Sequence, residues 1–329
     1  MTDPGWIKDY VDLLAGEEVA SLRVEEAMAL KHRNLPERLF KFRCDTDNSR
    51  DNLRNDTVWL SSPDSFNDPY DCGIKISFNS VIRDAISRYT DEVVSKYGLR
   101  DVLSVEDIDA AKCSENPHLG LAKIIEKVLP IGDAQSKKAL ELLESLVPTY
   151  EKELAFGVGQ NLKRSLKVCS FTEINDSIIM WSHYGDHHRG FCIEYNLDGL
   201  SADDLNGRLL CPVIYSAKLF DATKYYRAAV ANPREFNNIF PLLASLHKSP
   251  EWRYEREWRL VVMANLVREE SNWRMIPAKS LFLGALMDPG KKKELISIAN
   301  QKGLEVFQMH LAEDSFALVP EPIPGQKAK

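Results

Sequence analysis

Cysteine is scarce in this chain and never paired. Its six cysteines, Cys44, Cys72, Cys113, Cys169, Cys192 and Cys211, stand far apart with no Cys-x-x-Cys spacing. That pattern indicates neither a zinc ribbon nor a dithiol redox centre. Several of them lie in apolar, strand-like runs and read as small buried side chains, which fits a reducing cytoplasm. No apolar run approaches the roughly 20 residues that cross a bilayer, so no membrane partner is expected. The first residues lack the basic-then-apolar pattern of a signal peptide. There is no glycine-rich phosphate loop, no nucleophile elbow and no kinase signature. Internal repeats and low-complexity segments are also missing. Positive charge is in deficit, 42 Lys and Arg against 49 Asp and Glu, for a net charge of -7. This argues against a passive nucleic-acid coat, while leaving room for an enzyme with a local basic cleft.

What is present is an ordinary globular composition over 329 residues, 44% hydrophobic and 28% charged, enough for a sizeable core. Residues 6–33 predict one or two helices with an apolar stripe of Val19, Leu22, Val24, Ala27, Met28 and Leu30. Residues 38–43 predict a strand with Phe40 and Phe42 on one face and Lys41 and Arg43 on the other. Asp47 and Ser49 suit the cap of a short helix running to Asn55. Strands are expected at 57–60, 73–78, 167–171, 190–195, 212–215, 257–263, 280–284 and 304–309. Helices are expected at 176–184, where Asp176 is a good N-cap, around 219–248 and at 290–301. Residues 81–163 read as mostly helical, with breaks near Gly98, Pro117 and Gly132. Strands and helices do not alternate regularly, which predicts an α+β fold with a mixed or antiparallel sheet core. The expected organisation is N-terminal helices over 1–35, a core of 36–80 and 164–320, a helical insertion over 81–163 and a tail over 321–329, frayed from Pro320.

Four segments carry the polar chemistry. The densest is Met180-Trp181-Ser182-His183-Tyr184-Gly185-Asp186-His187-His188-Arg189-Gly190, at an expected helix-to-strand corner. Trp181 and Tyr184 are either core aromatics or one wall of a cleft, with Ser182 and His183 as directional hydrogen-bonding groups. His183 and His187 have one-turn spacing, but the metalloprotease glutamate is missing and Gly185 breaks the helix, so no metal is expected. The second segment places Glu255, Glu257 and Arg259 on one face at the entrance of a strand. It is either a solvated edge with ion pairs or a partly desolvated carboxylate site with raised pKa. Arg43, at the end of the first strand, suits a phosphate or a carboxylate. Asn67-Asp68-Pro69-Tyr70-Asp71 reads first as a turn and otherwise as one side of the cleft.

Together these segments resemble an uncharacterised bacterial family, domain of unknown function 2971. The resemblance rests on Leu39-Phe40-Lys41-Phe42-Arg43, on Trp59-Leu60-Ser61-Ser62-Pro63 through Phe66-Asn67-Asp68-Pro69, on Met180 to Gly190, and on Tyr254-Glu255-Arg256-Glu257-Trp258-Arg259. More distantly, the order of segments is similar to the ADP-ribosyltransferase fold. Arg43, then Ser170-x-Thr172 and Ser182-His183-Tyr184, then Glu255-x-Glu257 fall in that fold's order. The likeness implies an NAD-dependent ADP-ribosyltransferase-like enzyme of bacterial stress or phage defence. NAD or another nucleotide is the implied partner, as cosubstrate, with a protein or nucleic-acid acceptor left open. Glu257, Glu255 and His183 are then the catalytic candidates, and Glu257 is favoured because it leads directly into the strand. Arg43, Trp181, Ser182, Tyr184 and Arg259 are the cosubstrate-binding candidates. The alternatives are a metal-assisted hydrolase or nuclease using His183, His187, Asp186 and the glutamates, and a non-catalytic nucleotide-binding or sensor module. An active site requires that Arg43, His183 and Glu257 line one cleft.

Overall fold

The computed structural model describes residues 3–77, 79–81, 83–84, 95–96, 102–113, 120, 124, 127, 133–267 and 271–323. In chain order the strands are β1 Arg38–Arg43, β2 Thr57–Trp59, β3 Ile74–Lys75, β4 Leu166–Thr172, β5 Phe191–Asn196, β6 Leu210–Pro212 and β7 Ile214–Tyr215. They continue as β8 Phe220–Asp221, β9 His247–Lys248, β10 Glu257–Met263, β11 Asn272–Arg274, β12 Ala278–Leu283, β13 Glu305–Leu311 and β14 Leu318–Pro322. Eight of them form one mixed sheet of order β14-β13-β12-β5-β1-β4-β10-β6. Only β12 and β13 run parallel within it. The fold is α+β, as the irregular succession of elements implies.

Period-two alternation sorts the sheet into two faces. Leu39, Phe171, Ile193, Trp258, Leu260 and Leu281 build one core cluster, closed by Leu295 and Ile298 of a helix over Pro289–Lys302. The other face carries two clusters. One gathers Val168, Cys211 and Val261 with Tyr10 and Leu14 from the helix Gly5–Leu14. The other gathers Phe40, Phe42, Cys192, Phe282 and Met309 with Met180 and Trp181 from the helix Ile178–Tyr184.

The sheet is slit near its middle. β1 aligns with β5 along six residues, and β10 with β4 along seven. β1 and β4 share a single registered pair, Phe40 opposite Thr172. Backbone groups in such a gap need other partners. The Lys41 ammonium supplies one, donating to the Ser170 carbonyl at 2.7 Å.

At the outer edge, β14 pairs antiparallel with β13, and the Ile323 amide donates to the Val306 carbonyl. That bond fixes the alternation. Residues 319, 321 and 323 turn their backbone groups toward β13, whereas Leu318, Pro320 and Pro322 turn theirs outward. The expected fraying from Pro320 is therefore corrected: residues 320–322 are strand, because β13 offers them a full ladder.

Other corrections are local. Ser177, not Asp176, caps the helix Ile178–Tyr184, accepting from the Met180 amide. Thr46, not Asp47 or Ser49, caps the helix Asp47–Asn55. The strand expected at 212–215 is two short strands, since β6 joins the main sheet and β7 pairs with β9. β2 pairs with β11 outside the main sheet. The strand expected at 73–78 is reduced to β3; Phe78 lies outside the described residues, as do Gly98, Pro117 and Gly132. The N-terminal stripe is also revised: Val19 and Val24 are exposed, and Lys31 is buried in their place. A long helix, Asp133–Ser165, runs through the boundary expected at 163–164 and feeds Leu162 into the core.

Candidate functional site

Between the two apolar clusters, beside the slit, lies a cavity of about 290 Å³. Phe40, Phe42, Phe66, Met180 and Tyr184 give it apolar walls, and Glu255, Glu257 and Lys248 give it charge. The two carboxylates converge because of an unusual backbone. Glu255 ends a 3-10 turn, Arg256 takes a left-handed conformation with φ 42°, and Glu257 opens β10. Thr172 fixes the turn by donating to the Glu255 carbonyl at 2.5 Å.

Lys248 bridges the pair, donating to Glu255 Oε2 at 2.6 Å and to Glu257 Oε2 at 2.8 Å. Behind Glu257, Arg259 donates through Nε to Glu257 Oε1 at 2.8 Å. It also forks onto Asp71 at 2.8 and 2.7 Å. The Tyr215 hydroxyl accepts from the Glu257 amide at 2.9 Å. On the cavity side, the Tyr184 hydroxyl donates to Glu255 Oε1 at 2.7 Å. Three carboxylates, one ammonium and one guanidinium are thus buried together.

The two glutamates are driven in opposite directions. Burial pushes Glu255 up, Lys248 pulls it down, neighbouring Glu257 adds to the rise, and the net shift is upward. Burial would also push Glu257 up, but Arg259 and Lys248 outweigh it and hold its carboxyl well below the usual range. Burial and the facing Glu255 raise the Tyr184 hydroxyl far above its ordinary value, so it remains a donor. Two interacting acids pushed apart in this way are a recurrent sign of a functional site.

The structure brings Glu255, Glu257 and Tyr184 together in the cavity lining, with Ser170 and Thr172 beside them. It does not bring the other expected residues there. Arg43 alternates onto the opposite sheet face, with Leu39. His183 is exposed, its ring edge-on to Tyr184 with centroids 6.0 Å apart. Trp181 is fully buried, edge-on to Phe42, with its indole N–H on the Asn175 carbonyl. It offers no free stacking face. Ser182 is taken up by the Ile178 carbonyl and by His188 Nε2. Arg259 sits behind the carboxylates with its guanidinium saturated. The condition that Arg43, His183 and Glu257 share one cleft is not met.

The reading of Glu255 and Glu257 as a solvated edge is also corrected, because β10 lies between β4 and β6 and both side chains are buried. Asn67 to Asp71 is both things at once. Asp68 Oδ1 accepts from the Tyr70 amide as in a plain turn, while Asn67 and Asp71 line the cavity. Lys248 was not legible as a site residue, and Phe66 was legible only as part of a motif without a role. A lone lysine before Ser249-Pro250 carries no motif, and only the packing of β9 against β7 delivers it to the glutamates.

The corner after the helix Ile178–Tyr184 is built for close approach. Asp186, His187 and His188 all have positive φ, at 48°, 53° and 66°. A Cβ on Gly190 would overlap the Arg43 carbonyl, and one on Gly284 would overlap the His188 carbonyl. His188 Nδ1 is buried without a partner. Among the described residues, no His, Cys, Asp and Glu side chains converge into a metal-ligand group, and no helix is long and apolar enough to cross a membrane.

Residues 180–260 match the profile of a family described as protein of unknown function (DUF2971). The matched segment holds Tyr184, Lys248, Glu255, Glu257 and Arg259, the larger part of the ionic network. No curated protein and no solved structure gives a significant match to the chain.

Proposed function

We propose that the cavity cleaves an N-glycosidic bond, that of NAD, in an ADP-ribosyltransferase-like reaction, with Glu255 at the reacting centre. The observation that carries this reading is the Glu255 carboxyl, buried at the cavity wall between two donors, Tyr184 and Lys248. Cleavage of such a bond passes through an oxocarbenium-like species, as in glycoside hydrolysis. The leaving nicotinamide is neutral, so no strong acid is needed. What lowers the barrier is a fixed negative charge near the ribose and walls that exclude water. Glu255 supplies the charge, and Phe40, Phe42 and Phe66 supply walls. Glu257 is the less suited of the two, since Arg259 and Lys248 already neutralise it.

The fit to the whole dinucleotide is partial. About 290 Å³ is at the small end of ligand sites, roughly 300–1,000 Å³. It suits the nicotinamide–ribose end, and the pyrophosphate would lie outside. Arg43 and Arg259 are not in the cavity lining, which leaves the pyrophosphate without the cation expected from sequence at Arg43. The second reading is a module that binds a nucleotide without turning it over, favoured by Tyr184 and Lys248 engaging both oxygens of Glu255.

Incubation with NAD labelled on its adenylate decides between them. Release of free nicotinamide, lost in Glu255→Gln, is the expected result. Activity should also fall as the pH drops through the raised pKa of Glu255, because the carboxylate is the active form. Absence of both label transfer and free nicotinamide, with cell extract supplied as acceptor, sinks the enzyme reading. Saturable binding without turnover then selects the module.

A further inference from the structure

Phe40 is a shared wall. Beyond it, over β1, β5, β12 and β13, lies a second groove of about 480 Å³. Its floor is aromatic: Phe282 and Phe307 stack with centroids 4.9 Å apart, and Phe40 meets Phe282 edge-on at 5.9 Å. Glu194 and Ser280 stand opposite each other in register across β5 and β12, on the same face as Phe40. Both line the groove. Ser280 is 1% exposed and the Glu194 side chain 12% exposed.

Neither side chain makes a hydrogen bond within the described residues. The one ion-pair partner of Glu194 among them is Arg38, at 3.8 Å, with a side chain 64% exposed. The Arg38 guanidinium also sits 6.0 Å above the Phe40 ring. A carboxylate and a hydroxyl that take no hydrogen bond from the described residues thus line the groove side by side, placed to accept from a ligand. An aromatic floor beside a carboxylate is the arrangement that holds organic cations. The lining carries Glu173, Asp176, Glu194 and Glu305 against Arg38 and Lys279, a surplus of negative charge.

We infer that this groove binds an organic cation bearing N–H donors, an alkylammonium or alkylguanidinium. Glu194 and Ser280 accept from its head, and the three phenylalanines take its face and stem. Arg38, 3.8 Å from the Glu194 carboxylate, is the internal competitor for it. The inference does not depend on the reaction proposed for the cavity.

Isothermal titration of the full chain tests it, with agmatine, cadaverine, tetramethylammonium and a capped arginine-containing peptide as probes. Saturable binding of agmatine or cadaverine is expected. Tetramethylammonium, which has no N–H, should bind more weakly. Glu194→Gln should weaken binding about tenfold or more, since it removes a charged acceptor. Arg38→Ala should tighten it by removing the internal competitor, an effect that a purely structural Arg38 would not give. A peptide that binds tighter than agmatine identifies the source as a partner's side chain; the reverse order identifies a free amine. Failure of every probe to bind, or binding unchanged in folded Glu194→Gln and weakened by Arg38→Ala, overturns the assignment.

Discussion

At the scale of single residues, Lys248 decides how the site behaves. It lies 2.6 Å from one glutamate and 2.8 Å from the other. Removing one partner from a buried ionic group costs far more than the group's net contribution, about 3–5 kcal/mol. Lys248→Met is therefore expected to destabilise the fold by that amount at neutral pH, read by urea denaturation. The loss should shrink in acid, where a carboxylate can take up a proton. Glu257 gives a second pH signature. Its folded pKa lies below its ordinary value of 4.5, so the stability it contributes is present above that value and is lost as the pH falls through the lowered one. The Glu-x-Glu pair was legible from sequence as a spacing, although strand alternation relates only 257 and 259, and Glu255 joins them through the left-handed Arg256. The ranking of the two was not, because it depends on Lys248 and on burial, which act on the pair only through tertiary packing. Trp181 misled for the opposite reason: helical spacing showed which side of the helix it shares with Tyr184, not that Phe42 would cover it.

At the scale of elements, the strands of the main sheet were readable where burial is one-sided or complete. β1, β4, β5, β10, β12 and β13 all announce themselves as alternating or continuous apolar runs. The slit between β1 and β4 did not. Phe40 and Phe42 look the same in a closed ladder as in an open one, and the signal is a missing set of backbone bonds. The corner at 185–190 is similar. Gly190 reads as a turn residue, but its actual constraint is the Arg43 carbonyl against its α-carbon. Gly190→Ala should therefore cost about 1–3 kcal/mol, the usual penalty for overpacking, and lower the thermal midpoint. The same change at Gly303, where φ is 70° but nothing lies within 4 Å, separates crowding from backbone strain.

At the scale of the whole molecule, one file of side chains links the two recesses. Glu257, Thr172, Phe40, Glu194 and Ser280 are consecutive partners across β10, β4, β1, β5 and β12. Glu257 was legible at one end of this file and only the strand around 280–284 at the other, since adjacency of strands distant in the chain is a property of topology alone. The sheet that carries the file ends at β14, and there the outward backbone positions at 320 and 322 are prolines. Proline has no amide hydrogen to offer. A second molecule laid along that border would find two of three donors missing, which makes the β14 edge of the described residues a poor template for further strands. Replacing Pro320 and Pro322 together with valine should restore those donors and increase association with concentration relative to the parent chain, visible by light scattering. Two residues at the periphery thereby limit how far the architecture extends beyond a single chain.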